Sequence, residues 1–331
     1  MQFHQWKRRE FITLLGGATA AWPLAARAQQ ARRVGMLVAN YAQTDREGQA
    51  SVAAFVETFQ KLGWTDGRNV RIDYRWGVGE VERIKTAAAE LVRSVPDVIV
   101  VQASPALAEL RRLTNTIPIV FIQVGDPVES GYVNSLARPG GNITGFQAFD
   151  SAMGGKWLDV LKEAAPNLSR AAVLFGSDTP SNVSFLRTAA AVAPSLGVAL
   201  TAIEVGSGEI DRAIDAFASQ PNGGLIVVPH RYTLANRGSL IIAAAGHRLP
   251  AIYPYRYFAT EGGLISYGFN PIDLWPRAAS YVDRILRGEK PADLPVQAPT
   301  KFELVINMKT AKALGLSIPP ALPLRADEVI E

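Results

Sequence analysis

Residues 98–122 read VIVVQASPALAELRRLTNTIPIVFI, in which two β-branched runs flank one amphipathic segment. The runs 98–101 and 117–122 predict buried strands, because they are short, apolar and bounded by turn-forming residues. The segment 105–113 between them has apolar residues at helical spacing. Strand, helix and strand in this order predict a βαβ unit, and such units build parallel sheets.

The same alternation extends outward from this unit and forms two successive series. The predicted strands of the first series are 34–38, 70–74, 98–101 and 117–122, and its helices are 48–62, 80–94 and 105–113. The predicted strands of the second series are 172–175, 199–203, 225–228 and 251–253, and its helices are 151–164, 181–195, 208–219 and 232–245. Two such series predict an α/β protein with two doubly wound, Rossmann-like lobes and parallel sheets.

The remaining segments predict how the chain passes between the lobes. A Pro- and Gly-rich run at 138–145 marks the first passage. After the second series come a strand between glycines at 262–269, a helix at 275–287, an extended segment at 294–307 and a short helix at 309–314. This tail is too long for a cap on the second lobe, so we expect it to return to the first. We therefore predict an N-terminal lobe of 29–145 plus 268–331, a C-terminal lobe of 146–267, and three hinge crossovers near 144–148, 266–270 and 295–301.

The composition excludes several classes of site. The chain has 331 residues, of which 48% are hydrophobic and 19% charged, so it can bury large cores. The chain contains no Cys, which excludes disulfides, thiolate zinc sites and cysteine nucleophiles. It has only three His, without HExxH spacing, and no complete P-loop, dinucleotide-binding motif or Gly-x-Ser-x-Gly elbow. We therefore expect no enzymatic activity, no metal and no cofactor, and we keep a secreted two-domain α/β enzyme only as an alternative.

The first 28 residues predict an export signal. Lys7, Arg8 and Arg9 precede a modest apolar stretch at 11–25 that is too short to span a bilayer. The paired arginines resemble a twin-arginine signal, and the small residues around Ala28 fit a signal-peptidase site. We predict a twin-arginine-type signal peptide at 1–28, cleaved after about Ala28, and a soluble periplasmic mature protein. The alternative is an amphipathic first helix on a cytosolic protein.

The basic charge of the chain is concentrated in this signal. The formal net charge is +4, but the 303 residues after position 28 carry 30 basic and 29 acidic side chains. A nearly neutral body produces no long-range field that would attract phosphate. We therefore expect no nucleic-acid partner.

Candidate binding residues follow from the ends of the predicted strands. Ligands of open parallel sheets bind beyond the carboxyl ends of the strands, so two such lobes facing each other would bury a small molecule between them. The candidates of the first lobe are Asn40, Tyr41, Gln102, Ser104, Gln123 and Asp126. Those of the second lobe are Ser177, His230, Tyr253 and Tyr255. Nearly neutral loops with amides and aromatic residues suit an uncharged, zwitterionic or singly charged organic solute.

Several of these residues have a purely structural alternative. Ser104 and Asp126 each precede a proline, which is typical of the start of a helix. A helix N-terminus is also where a ligand carboxylate would bind, so both interpretations of Ser104 stay open. Tyrosines at strand ends, such as Tyr253, often fill the edge of a core instead of contacting a ligand. A surface position is the alternative for His230.

The mature chain resembles a known family in several separate blocks. These blocks are LGWTDGRNV at 62–70, GDPV at 125–128, SLARPGGNITG at 135–145, and four segments of the tail, 281–286, 291–296, 307–316 and 325–330. Together and in this order they resemble the ABC-transporter substrate-binding proteins of the periplasmic binding protein type I fold, in the subgroup that includes tryptophan-binding members.

The resemblance implies capture of a small solute, followed by delivery to a membrane permease. Hinge closure would bury the solute between the lobes and shift the population toward the closed form. The subgroup points to an aromatic or hydrophobic amino acid as the ligand, and we expect a monomer. A ligand-sensing module that reports to a membrane receptor remains an alternative.

Overall fold

The computed structural model describes residues 31–77, 80–206 and 210–331. The predicted signal peptide at 1–28 therefore lies outside the described residues. Within the described ranges, no helix is both long and apolar enough to cross a bilayer.

The first lobe is built on a five-stranded parallel sheet. Its strands are β1 (Arg32–Val38), β2 (Val70–Trp76), β3 (Val98–Gln102), β4 (Ile119–Val124) and β5 (Ile143–Gln147), in the spatial order β2-β1-β3-β4-β5. Its helices are α1 (Arg46–Lys61), α2 (Val81–Arg93) and α3 (Ser104–Leu113). β3 and β4 are buried along their whole length, as expected for central strands covered by helices on both faces.

The second lobe is built on a seven-stranded sheet. Its first elements are α4 (Met153–Ala164), β6 (Arg170–Phe175), α5 (Pro180–Val192), β7 (Ala199–Glu204), α6 (Ile210–Ala218), β8 (Gly223–Val227), α7 (Arg231–Ala235) and α8 (Arg237–Gly246). These are followed by β9 (Ala251–Tyr253), α9 (Arg256–Thr260), β10 (Ile265–Gly268), α10 (Leu274–Leu286), β11 (Glu303–Asn307), α11 (Met308–Leu314) and β12 (Glu328–Ile330). The spatial order is β12-β11-β10-β9-β8-β6-β7, and all neighbours are parallel except β10 and β11. Short 3₁₀ turns occur at Ala193–Leu196, Pro271–Asp273, Pro291–Asp293 and Pro323–Arg325.

The helix α10 returns to the first lobe, but the end of the chain does not. α10 packs against α1 and β4, and Trp64 of the first lobe donates a hydrogen bond of 2.8 Å to Asp283 of α10. β11 then pairs with β10 in the second sheet, and β12 pairs with β11. The predicted assignment of all of 268–331 to the first lobe is therefore wrong. The physical reason is that β10 has a free edge in the second sheet. Pairing with β11 gives the backbone N–H and C=O groups of that edge hydrogen-bond partners.

The chain passes between the two sheets at three places. The first passage follows β5, the second follows β10, and the third lies between Pro291–Asp293 and β11. The first and third passages run side by side, because the Gln147 amide donates to the Gln297 carbonyl at 2.8 Å and the Gln297 amide donates to the Gly145 carbonyl at 3.0 Å.

One phenylalanine from each passage meets the others in a hinge cluster, which consists of Phe149, Phe269 and Phe302. The ring centroid of Phe149 lies 4.8 Å from that of Phe269 and 6.1 Å from that of Phe302. Such a shared aromatic contact couples the three segments mechanically, because none of them can shift without repacking the other two.

Four elements differ from the sequence-based expectation. β5 occupies 143–147, where a passage between lobes was predicted. This short buried strand was not predicted, because the Gly and Pro residues just before it indicate a loop. The predicted helix 232–245 divides at Asn236 into α7 and α8. The short elements α9 and β12 were not predicted, since neither is long enough to show a periodic pattern.

Candidate functional site

A cleft lies where the carboxyl ends of the strands of both sheets face each other. Its lining comes from both lobes and consists of Asn40, Ala103, Ser104, Pro105, Gln123, Gly125, Ala148, Phe149, Thr179, Ser181, Phe185, Pro229, His230, Arg231, Leu234 and Tyr255.

The first-lobe wall contains two residues with strained backbones. Ala103 has φ of 75° and Gln123 has φ of 59°, values that side-chain-bearing residues rarely adopt. Each such residue costs about 1–3 kcal/mol, and strain of this kind is concentrated at binding and catalytic sites. Here it turns the ends of β3 and β4 so that Gln123 and the start of α3 face the cleft.

A buried amide pair at the cleft wall contains a hydrogen-bond donor without a partner among the described residues. Gln102 Nε2 donates to Gln123 Oε1 at 2.5 Å, and Gln102 Oε1 accepts from the Asn40 backbone amide at 3.3 Å. Gln123 Nε2 is buried and has no partner among the described residues. A buried donor without a partner is costly, so this group is suited to an acceptor atom of a bound solute.

The start of α3 is the second polar feature of this wall. Pro105 occupies the first turn of this ten-residue helix, and Ser104 and Pro105 both line the cleft. The Ser104 hydroxyl accepts a hydrogen bond of 3.3 Å from the Gly125 amide, which ties the helix start to the loop after β4. The free backbone amides of the first turn and the helix dipole favour an anionic group at this point.

The second-lobe wall is held by an ionic cluster of Asp178, His230 and Arg231. His230 Nε2 lies 3.0 Å from Asp178 Oδ1, and Arg231 also pairs with Asp178. His230 Nδ1 accepts from the Tyr232 backbone amide at 3.3 Å, and Arg231 Nη1 also lies 3.0 Å from His230 Nε2. The hydrogen bonds from His230 and Arg231 hold the pKa of Asp178 well below its usual range. The cluster therefore fixes a buried His230 in the cleft wall.

Aromatic rings form the apolar part of the cleft. The centroid of Phe149 lies 5.6 Å from that of Tyr255 and 6.5 Å from that of Phe185. Complete burial raises the pKa of Tyr255 well above its usual value, so its hydroxyl stays neutral. This wall suits a flat or apolar group of modest size.

The two lobes touch each other around the cleft. Gly125 of the first lobe lies so close to Ser181 of the second that a Cβ added at Gly125 would be 2.6 Å from the Ser181 Cβ. Arg237 of the second lobe reaches Asp45 of the first, with Nη1 2.9 Å from Oδ2. These contacts describe a closed arrangement of the lobes.

The structure brings together half of the residues that the sequence singled out. Those that line the cleft are Asn40, Ser104, Gln123, His230 and Tyr255. Gln102 lies directly behind Gln123, and Tyr41 is buried beside Tyr257. Contact of these seven residues with a ligand stays a prediction.

Besides Gln102 and Tyr41, three predicted site residues lie outside the cleft lining. Ser177 is exposed and donates a hydrogen bond to Glu204. Tyr253 is buried in the core of the second lobe and stacks on Phe258, with the centroids 4.8 Å apart. Asp126 borders a neighbouring side opening together with Ser181, and its Oδ2 is buried without a partner among the described residues. Ser177 and Asp126 follow strands and Tyr253 ends β9, but none of the three lines the cleft itself.

Several cleft residues do not follow a predicted strand and were not predicted from the sequence. Ser181 and Phe185 lie one helical turn apart on α5, and Leu234 lies on α7. Ala148 and Phe149 belong to the first passage between the lobes. The i, i+4 spacing of Ser181 and Phe185 on one face of α5 was the only signal available, and it is equally typical of core packing.

The chain is similar to several characterised proteins over most of its length. A "Tyrosine-binding protein" of Clostridioides difficile (strain R20291) is 24% identical over 266 residues, which cover 79% of this chain and 75% of the relative. A conserved domain protein of Vibrio cholerae is 26% identical, with a TM-score of 0.82 over 90% of this chain and 99% of that structure. An ABC domain from Streptococcus pneumoniae in complex with L-Trp has a TM-score of 0.83 at 23% identity, over 91% of this chain and all of that structure.

These structural neighbours have the same two-sheet α/β architecture, which confirms the predicted periplasmic binding protein type I fold. The family model described as "ABC transporter substrate binding protein" matches residues 46–330, nearly the whole described chain. Proteins of this family bind solutes and are not enzymes, in agreement with the prediction from the sequence. The chain therefore belongs to the ABC transporter substrate-binding protein family.

Proposed function

We propose that this protein captures an aromatic or hydrophobic amino acid in the interlobe cleft and delivers it to the permease of an ABC import system. The observation that supports this most directly is the composition of the cleft wall. It combines a helix start suited to a carboxylate, the buried Gln123 Nε2 without a partner among the described residues, and an aromatic surface in one cleft.

Each part of a zwitterionic amino acid has a matching part of the wall. The α-carboxylate would lie at the start of α3, where backbone amides and the helix dipole favour negative charge. Gln123 Nε2 would donate to one carboxylate oxygen, and the side-chain oxygens of Asn40 and Thr179 would accept from the ammonium group. The amino-acid side chain would pack against Phe149, Phe185 and Tyr255.

The comparisons support this choice of ligand class. The relative from Clostridioides difficile is named for tyrosine binding, and the structure from Streptococcus pneumoniae contains L-Trp. An amino acid bound to both walls would stabilise the closed arrangement, because its second-lobe contacts exist only there. We propose that closure is the signal that the permease recognises, and that the protein acts as a monomer in the periplasm after export by the signal at 1–28.

The first test is a thermal-shift screen of residues 29–331 against amino acids, aromatic acids, purines and sugars. We expect L-tryptophan or L-tyrosine to raise the Tm by about 4 °C at a concentration one hundred times the Kd, because binding to the folded state stabilises it by mass action. Isothermal titration then gives the Kd and the stoichiometry. The absence of a shift with every amino acid, combined with a shift for a sugar or a purine, would contradict the proposed ligand class.

A further inference from the structure

Arg237 links the two lobes at a point outside the cleft. Its Nη1 lies 2.9 Å from Asp45 Oδ2 of the first lobe, and its Nε lies 2.9 Å from Glu261 Oε2 of its own lobe. Its guanidinium carbon also lies 5.5 Å from the ring centroid of Tyr257. We call Arg237, Asp45 and Glu261 the latch. None of the three residues lines the cleft.

Some contacts of the latch residues lie within one lobe, and one contact joins the two lobes. Asp45 is the N-cap of α1, and its Oδ1 accepts from the amides of Glu47 at 2.9 Å and Gly48 at 3.0 Å. This cap lies within the first lobe, and the pair of Arg237 with Glu261 lies within the second, so both persist when the lobes separate. Within the latch, only the bond from Arg237 to Asp45 Oδ2 crosses between the lobes.

The surroundings of this crossing bond make it energetically significant. The side chain of Arg237 is 19% exposed and that of Asp45 is 14% exposed, so both are largely withdrawn from water. A charged hydrogen bond in such a setting is stronger than one at the surface.

A second interlobe ion pair provides a natural comparison. Arg187 Nη2 of the second lobe lies 3.4 Å from Glu129 Oε1 of the first, and these side chains are 67% and 56% exposed. Exposed pairs of this kind contribute little, because water and salt screen them. The described residues therefore include a largely buried ion pair and an exposed one between the same two lobes.

We propose that the bond between Arg237 and Asp45 is a closed-state latch that sets the solute affinity and the release rate without touching the solute. It stabilises only the closed form, so its strength fixes the population of that form and thereby the apparent Kd. The inference deepens the proposed function, because it assumes that closure around a solute is the working step.

The test uses two variants that disrupt the latch by different means. Asp45→Asn removes the charge but keeps an oxygen for the α1 cap, since Asn is as good an N-cap as Asp. Arg237→Gln removes the cation. Arg187→Gln is the matched control, because it breaks the exposed interlobe pair. Thermal unfolding of each ligand-free variant checks that the folded lobes are intact.

The first readout is the distance between the lobes. The chain has no native Cys, so spin labels can be attached at Val95→Cys and Ile242→Cys, which are 74% and 73% exposed and lie one in each lobe. Distance distributions are recorded by pulsed electron resonance with and without L-tryptophan. We expect both latch variants to lose closed population relative to the wild type, and the Arg187→Gln variant to match the wild type.

The second readout is the binding of L-tryptophan. We expect the Kd to increase about tenfold in both latch variants, mainly through faster dissociation, and to change less than twofold in Arg187→Gln. Identical distance distributions and dissociation rates in Arg237→Gln and the wild type would overturn the latch. Loss of closed population in the latch variants without any binding of L-tryptophan would support the latch and count against the proposed ligand.

Discussion

Gly125 offers the most direct test of whether the lobes close as the structure shows them. It lies in the loop after β4 and faces Ser181 of the opposite lobe. Gly125→Ala adds one methyl group whose carbon would lie 2.6 Å from the Ser181 Cβ and 2.7 Å from its Oγ. Both of these neighbours belong to the second lobe, so the conflict exists only in the closed form. The variant should fold and open normally, but close less readily.

The size of the effect follows from this distance. Carbon atoms in contact are separated by about 3.5–4.0 Å, so the lobes would have to part by roughly 1 Å at this point or distort locally. Forcing an extra methyl group into a packed contact costs about 1–3 kcal/mol. If this cost falls on the closed form alone, the Kd for the solute rises by about 5-fold to 150-fold.

Isothermal titration with L-tryptophan measures the Kd, and thermal unfolding of the ligand-free protein measures the stability of the fold. We expect a weaker Kd and an unchanged ligand-free Tm. Gly141→Ala is the matched control, because no atom lies within 4 Å of a Cβ at that position. The double variant Gly125→Ala, Ser181→Gly should recover most of the affinity, since it removes the opposing side chain. Wild-type affinity in Gly125→Ala, or a loss that Ser181→Gly does not relieve, would refute the reasoning.

Three further outcomes test the cleft, its side opening and the hinge. Gln123→Glu keeps the oxygen that accepts from Gln102 but removes the donor that has no partner among the described residues. Isothermal titration should then show a Kd for L-tryptophan that is at least about tenfold weaker. A Kd equal to that of the wild type would contradict the role assigned to Gln123. Burial raises the pKa of Asp126 to about 6, so the ionised carboxylate destabilises the folded protein above that pH. Asp126→Asn should therefore raise the Tm at pH 7. The difference in Tm between the variant and the wild type should shrink as the pH falls from 6 to 4. A constant advantage across that range would mean that charge is not the cause. Phe149→Ala removes the central ring of the hinge cluster. Urea denaturation should show that the free energy of unfolding falls by about 3–5 kcal/mol. A loss below about 1 kcal/mol would show that the cluster does not couple the passages.

The elements that repeat a strong pattern could be predicted from the sequence. The βαβ unit at 98–122 appears as β3, α3 and β4, because short β-branched runs and a helical period describe local preferences that the parallel sheet reinforces. Ser104 and Gln123 could be identified as cleft residues for the same reason, since each lies at or just after the carboxyl end of a strand that faces the other lobe.

The destination of the tail could not be predicted in this way. The order of elements after 268 was readable, but β11 belongs to the second sheet because it satisfies the open edge of β10, and that edge is defined only once the sheet exists. Phe149 and Ser181 were missed for a related reason, since they enter the cleft through a passage and a helix face.

The sequence by itself determined the class of fold, the pairing of two similar lobes and the family, because these depend on local periodicity and on motifs that stay recognisable in one dimension. Only the tertiary structure decided which side chains face the cleft, that Gly125 abuts Ser181, and that Arg237 reaches Asp45 from 192 positions away. Such contacts depend on the relative placement of two lobes about a hinge. That placement is set by packing between residues far apart in the chain, which no local pattern encodes.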